Sequence, residues 1–216
     1  MNKKTLGLAL VITFMAGTAQ AVVIDDFDGG AQYVTAPGND TTAYAGSIGG
    51  FRTIDITKSG SIGASATVTV PPGIYSHNAD VLTSAVSTIT WDANGIGLGG
   101  LDLTEGLVNN KFNFEILSLD QGFLELILTV TDIIGGLDSS TISGAGVGTE
   151  FIAFSSFSGV DFTSVDSISL QITGGAATDL TLNSISTTGH TVPEPASLAL
   201  FAGGLLAFGL GRHKPK

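Results

Sequence analysis

From Phe51 to Ile185 the sequence alternates apolar and polar residues with a period of two, in short runs that each end at a turn signal. That alternation assigns side chains to the two faces of a strand, and no stretch between residues 22 and 190 sustains the longer period of a helix. Phe51 to Lys58 sets Arg52, Ile54, Ile56 and Lys58 against Phe51, Thr53, Asp55 and Thr57. Ile62 to Val70 aligns Ala64, Ala66, Val68 and Val70, and stops at Pro71-Pro72-Gly73. Ser87 to Trp91 is closed by Asp92-Ala93-Asn94-Gly95. Phe112 to Leu117 and Phe123 to Val130 alternate strictly, and Asp120-Gln121-Gly122 between them reads as a hairpin connection. Val165 to Thr173 turns at Gly174-Gly175 into a last strand from Leu180 to Ile185. Val22 to Phe27, Ser139 to Ile142 and Glu150 to Phe157 supply further short strands, whereas residues 31–48 are small and polar and read as a long loop. About eight to ten such strands predict an all-β fold, an antiparallel sandwich. No fixed-length repeat supports a β-helix.

The two ends read differently. Met1 to Ala21 places Lys3 and Lys4 before an apolar stretch and closes on Ala19-Gln20-Ala21, the order of a secretory signal peptide cleaved to leave Val22. Residues 22–190 then form a β-sandwich domain of ordinary size. At 191–216, prolines flank Glu194 and stop any preceding strand, because proline cannot donate to a ladder and restricts the residue before it. An uncharged run from Leu198 to Leu210 comes next, then Arg212-His213-Lys214-Pro215-Lys216. As a helix, Ala196 to Gly211 reaches roughly 24 Å, slightly short of a ~30 Å hydrocarbon core. The basic end suits retention on the cytoplasmic side.

Val192-Pro193-Glu194-Pro195, the apolar run and the basic end together resemble a PEP-CTERM sorting signal. The resemblance covers only this last segment. It implies export through the secretion machinery of a Gram-negative bacterium and a transient transmembrane helix in the inner membrane. It further implies recognition of the Pro-Glu-Pro segment by exosortase, a membrane peptidase-transpeptidase, and delivery to the cell surface or the exopolysaccharide matrix. Arg212, His213 and Lys214 would form the membrane-retention end, where many such tails carry an arginine cluster. More loosely, Ile24-Asp25-Asp26-Phe27, Gly49-Gly50-Phe51-Arg52 and Asp179-Leu180-Thr181-Leu182 resemble galactose-binding-like or jelly-roll domains of exported proteins.

Charge narrows the partners. Residues 22–190 hold eighteen acidic side chains and only Arg52, Lys58 and Lys111, a formal charge of −15 with histidine neutral. Nucleic acid is excluded as a partner, because phosphate binding needs a basic footprint. With no cysteine there is no thiol chemistry and no thiolate metal site.

Candidate chemistry is sparse. Asp25, Asp26 and Asp28 cluster before a glycine turn and offer oxygen ligands for calcium, with solvated charge as the competing reading. In the domains the chain resembles, calcium sits near the junction of the first and last strands, which adds Asp179; otherwise no cofactor is expected. Trp91, the one tryptophan, is a candidate glycan contact, although sharing a strand face with Ile89 favours the core. Tyr33, Tyr44 and Tyr75 fall in expected loops and are candidates to line a binding surface. Gly95-Ile96-Gly97-Leu98-Gly99-Gly100 has dinucleotide-loop spacing, but Leu101 to Gly106 offers no helix to meet a pyrophosphate. His190 falls in the linker and His213 in the tail, so only His77 could serve a folded site, and no Gly-x-Ser-x-Gly elbow accompanies it. Glu115 and Glu125 provide two carboxylates, each on the polar side of an alternating strand. The expectation is a non-enzymatic exported protein, structural or associated with exopolysaccharide, with a carbohydrate-binding module as the alternative and a hydrolase behind both.

Overall fold

Period-two alternation leaves each strand with one face to bury, and two sheets laid face to face are the solution the chain adopts. The computed structural model describes residues 21–120 and 124–189. In chain order the strands are β1 (Val23–Asp25), β2 (Gln32–Thr35), β3 (Gly38–Ala43), β4 (Phe51–Ser59), β5 (Ala64–Thr69), β6 (Ile74–Ala79) and β7 (Ser84–Trp91). They continue as β8 (Asn109–Asp120), β9 (Leu124–Asp132), β10 (Leu137–Ser143), β11 (Gly148–Ala153), β12 (Val165–Gly174) and β13 (Asp179–Gly189). Among the described residues, helix is limited to two 3-10 turns, Ile48–Gly50 and Phe154–Ser156. No helix there is long and apolar enough to cross a membrane. The leader and the segment from residue 190 onward, with its expected transmembrane helix, lie outside the described residues.

The first sheet runs β11-β8-β13-β6-β5-β2, and the second β10-β9-β12-β7-β4-β3, antiparallel throughout in a jelly-roll-like sandwich. β13 pairs with β8 along one side; on the other, Asp179 to Leu182 meet β6, and Ile185 and Ser186 meet β1. Between the sheets lie Ile54, Ile56, Ile89, Leu126, Leu128, Val130, Leu170 and Ile172 from one and Val68, Phe114, Ile116, Leu180, Leu182 and Ile185 from the other, all buried. Phe154 and Phe162 stack with ring centroids 4.1 Å apart, and Phe112 meets both edge-on. This phenyl cluster explains why the apolar stretch after Glu150 leaves the ladder at Ala153: the 3-10 turn after it brings Phe154 into the cluster.

Two expectations are corrected. β8 and β9 do not form the expected hairpin, since β8 pairs with β11 and β13 while β9 pairs with β10 and β12 in the opposite sheet; Gln121 and Gly122 lie outside the described residues. Directly paired consecutive strands are β3–β4, β5–β6 and β9–β10 among the described residues. Residues 31–48 are not one loop but contain β2 and β3. β3 (Gly-Asn-Asp-Thr-Thr-Ala) has no large apolar side chain and is held at the sheet edge by its ladder to β4. β6 also escapes a hydropathy reading, because two of its three inward residues are Tyr75 and His77.

Candidate functional site

The side chains that look most like a site in the sequence are used up inside the sandwich. Arg52 points inward from β4, and its guanidinium is fully buried. Its Nη1 donates to both oxygens of Asp25 at 2.9 Å, its Nε to Gln32 Oε1 at 2.7 Å, and its Nη2 to the carbonyls of Gly29 and Gly30 at 3.0 and 2.6 Å. Every polar nitrogen of the guanidinium is thereby engaged. Trp91 Nε1 donates to Asp25 Oδ2 at 2.9 Å, and the Phe27 amide to Asp25 Oδ1 at 2.9 Å. Burial pushes the Asp25 carboxyl above its ordinary range, against the lowering pull of Arg52, Trp91 and the Phe27 amide. Phe27 sits at φ 56°, in the left-handed region, buried, with the Arg52 guanidinium 5.4 Å from its ring centroid.

These facts dispose of two candidates. Trp91 is wholly buried and cannot touch a glycan. The expected calcium ligands do not come together. Asp25 is committed to Arg52, and Asp26 Oδ1 accepts the Tyr44 hydroxyl at 2.5 Å and the Asp28 amide at 3.1 Å. Asp25 pairs with Ile185, so Asp179 lies six residues further along β13, about 20 Å away at ~3.3 Å per residue. Among the described residues no group of three or more histidine or acidic side chains is placed to hold a metal ion. Burial and the bond to Asp26 push the Tyr44 hydroxyl up to about 12.

His77 lies in a buried polar chain that crosses between the sheets. The Tyr75 hydroxyl donates to Ser87 Oγ at 2.6 Å, and Ser87 Oγ lies 2.7 Å from His77 Nδ1. Ser87 Oγ has a second lone pair as well as its own proton, so which of Ser87 and Nδ1 donates is set by the imidazole tautomer. Nε2 is buried with no hydrogen-bond partner among the described residues, as are the hydroxyls of Thr83 and Thr178. Burial lowers the His77 pKa to about 4. Tyr75, His77 and Ser87 are all fully buried, so this serine–histidine contact has no route to a substrate. His190 and His213 lie outside the described residues.

The remaining sequence candidates separate. Glu115 stands on the outer face of the first sheet, accepting from Asn183 Nδ2 at 2.8 Å. Glu125 stands on the outer face of the second, beside Ser143. Sheets stack ~10 Å apart, so carboxylates on opposite outer faces cannot flank one glycosidic bond. The Gly95–Gly100 segment is a loop between β7 and β8 with no helix after it. Val192, Pro193, Glu194, Pro195, Arg212, His213 and Lys214 lie outside the described residues.

The outer face of the first sheet carries two aligned rows of polar side chains beside a cleft. Register places Thr35, Ser65, Asn78, Asp179 and Asp120 in one row across β2, β5, β6, β13 and β8. Tyr33, Thr67, Ser76, Thr181 and Ser118 form the next row. Over β2, β5 and β6 a cleft of about 310 Å³ opens, lined by Tyr33, Thr35, Ser65, Asn78 and Asp80. Tyr33 is 71% exposed. Asp80 pins the cleft: its amide donates to the Gly63 carbonyl at 3.0 Å and its Oδ2 accepts the Gly63 amide at 2.9 Å. No hydrogen bond within the described residues engages the Thr35, Ser65 or Asn78 side chains or the second oxygen of Asp80. Of the three tyrosines singled out in the sequence, only Tyr33 faces such a surface, and from a strand rather than a loop. Ser65, Asn78 and Asp80 carry no sequence signal beyond being small or polar.

Comparison with protein families matches residues 191–214 to the PEP-CTERM protein-sorting motif, and the chain carries that motif. No curated protein matches the chain. Among solved structures, the family 11 carbohydrate-binding module of a cellulosomal cellulase of Clostridium thermocellum is 14% identical, with 80% of this chain and 96% of that one covered and a TM-score of 0.40. The same organism's family 11 module in complex with a mixed-linked tetrasaccharide is 16% identical, covering 81% and 98%, with a TM-score of 0.41. A xyloglucanase domain of a type three effector from Sinorhizobium fredii, in complex with cellobiose, is 8% identical, covering 73% and 98%, with a TM-score of 0.44. At these identities and scores the likenesses assign no function.

Proposed function

We propose that this chain is exported, held briefly in the inner membrane by its C-terminal segment, processed there by an exosortase, and delivered to the cell surface or the exopolysaccharide matrix. The match of residues 191–214 to the sorting motif carries this reading. Pro193 and Pro195 keep the backbone around Glu194 out of helix and sheet, presenting an extended segment to a membrane enzyme. The uncharged run after it holds that segment at the bilayer, and Arg212, His213 and Lys214 resist being drawn through. Replacing Val192-Pro193-Glu194-Pro195 by alanines is expected to leave export intact and abolish processing, seen as an unprocessed mass in the membrane fraction. Processing and surface delivery at the parental level would overturn the assignment.

Once delivered, the sandwich acts without catalysis, as a structural component that associates with exopolysaccharide. A more specific reading, a carbohydrate-binding module, is favoured by one observation: the cleft beside Tyr33, where the Thr35, Ser65 and Asn78 side chains and the second oxygen of Asp80 have no hydrogen-bond partners among the described residues.

A further inference from the structure

We propose that the outer face of the first sheet is a trough for an extended, uncharged polysaccharide chain, with the Tyr33 ring as its stacking platform; this rests on the reading of the domain as exopolysaccharide-associated and names the site and the ligand class. A sugar ring presents an apolar face of C–H groups and a rim of hydroxyls, so it is recognised by an aromatic plane beside groups that both donate and accept. Tyr33 supplies the plane. It is the one large aromatic side chain in the two rows, its cross-strand neighbour is Thr67, and its 71% exposure leaves the ring open to solvent. Thr35, Ser65 and Asn78 supply donors and acceptors, and the second oxygen of Asp80 supplies an acceptor held in place by the Gly63 backbone.

The shape is that of a trough. Apart from Tyr33, the rows hold only small or short polar side chains, so nothing tall crosses the sheet between β2 and β8. Five strands at ~4.8 Å spacing give a row of roughly 19 Å, longer than a single sugar ring. Hydrogen-bonding capacity is greatest at the β2–β6 end, because Ser118 and Thr181 bond each other at 2.7 Å across β8 and β13. A chain ligand would therefore be gripped at the cleft and lie along the rest.

Charge selects the class. Asp80, Asp120 and Asp179 line or extend this face, neither row contains a lysine or arginine, and residues 22–190 carry a formal charge of −15. Uronate or sulfate polymers are repelled by such a surface unless divalent cations bridge them.

The test uses the mature protein and the host's exopolysaccharide, separated into neutral and uronate-containing fractions, titrated by calorimetry in the presence of a chelator. The neutral fraction is expected to bind, with affinity rising as its oligosaccharides lengthen. Tyr33→Ala is expected to weaken binding at least tenfold and Tyr33→Phe less than threefold, because the ring and not the hydroxyl makes the platform. Ser65→Leu, which fills the cleft, serves as a second block, and thermal melts show that each variant is folded. Parental binding by both Tyr33→Ala and Ser65→Leu would remove this site while leaving exopolysaccharide association standing. Preference for the uronate fraction would overturn the ligand class. Absence of binding by the parental protein to either fraction would overturn the association itself, and the trough with it.

Discussion

The inner and outer polar side chains of this sandwich have opposite fates. Inside, Asp25, Arg52, Gln32 and Trp91 hold one another in a closed set in which every nitrogen of the guanidinium is engaged. Outside, Thr35, Ser65, Asn78 and Asp80 keep capacity that no group among the described residues takes up. Residues of conspicuous chemistry are thus consumed by folding, whereas residues of bland chemistry retain the means to bind. A buried ion pair survives only if its partners satisfy it completely, so a rich constellation in the interior signals structure. Free capacity on a flat, exposed face is easily maintained, because water satisfies it until a ligand arrives.

The sharpest way to break this contrast is to remove Asp25. Asp25→Ala leaves the Arg52 guanidinium buried without its counter-ion and is expected to cost about 3–5 kcal/mol of stability in urea denaturation. A loss below about 1 kcal/mol would mean that water reaches the cluster and that the inner set is not closed. His77 gives the next largest effect. The unfolded chain takes up a proton near pH 6.5, whereas the folded protein resists it until about pH 4, because burial disfavours the imidazolium. Stability is therefore full above pH 6.5 and falls as pH drops toward 4, by on the order of 3 kcal/mol. Comparing the pH dependence of unfolding for the parental protein and His77→Gln isolates this slope, which the variant should lack. Trp91→Phe keeps an aromatic ring but deletes the N–H that meets Asp25, and is expected to cost about 1–2 kcal/mol in the same denaturation assay. On the outer face, Tyr33→Ala and Asn78→Ala should leave stability within about 0.5 kcal/mol of the parent. A large loss there would turn the free face into part of the fold.

The same contrast explains what the sequence discloses. The central strands were legible because Ile54, Ile56, Leu126, Leu128, Leu170 and Ile172 bury one side of a clean alternation. β3 and β6 were not, since β3 has no large apolar residue and β6 turns Tyr75 and His77 inward. Sheet membership was also hidden: a turn signal such as Asp120-Gln121-Gly122 marks where a strand ends but not whether the chain returns beside itself or crosses to the other sheet. The aspartates near β1 and Trp91 read as ligands by residue type, yet only the arrangement in space shows that Arg52 takes up Asp25. Tyr33 was visible as a candidate, but Asn78 and Asp80 join it only through the pairing of β2, β5 and β6. The sorting motif was the most legible part, because its recognition depends on contiguous residues and not on a fold.

The central claim, that the tail is an address and the sandwich its cargo, is tested most directly by the intact mass of the protein recovered from the surface of the native host. A chain that begins at Val22 and lacks the residues beyond the Pro-Glu-Pro segment is the predicted result. A mass that extends through Lys216 would show a plain membrane anchor and contradict the sorting assignment.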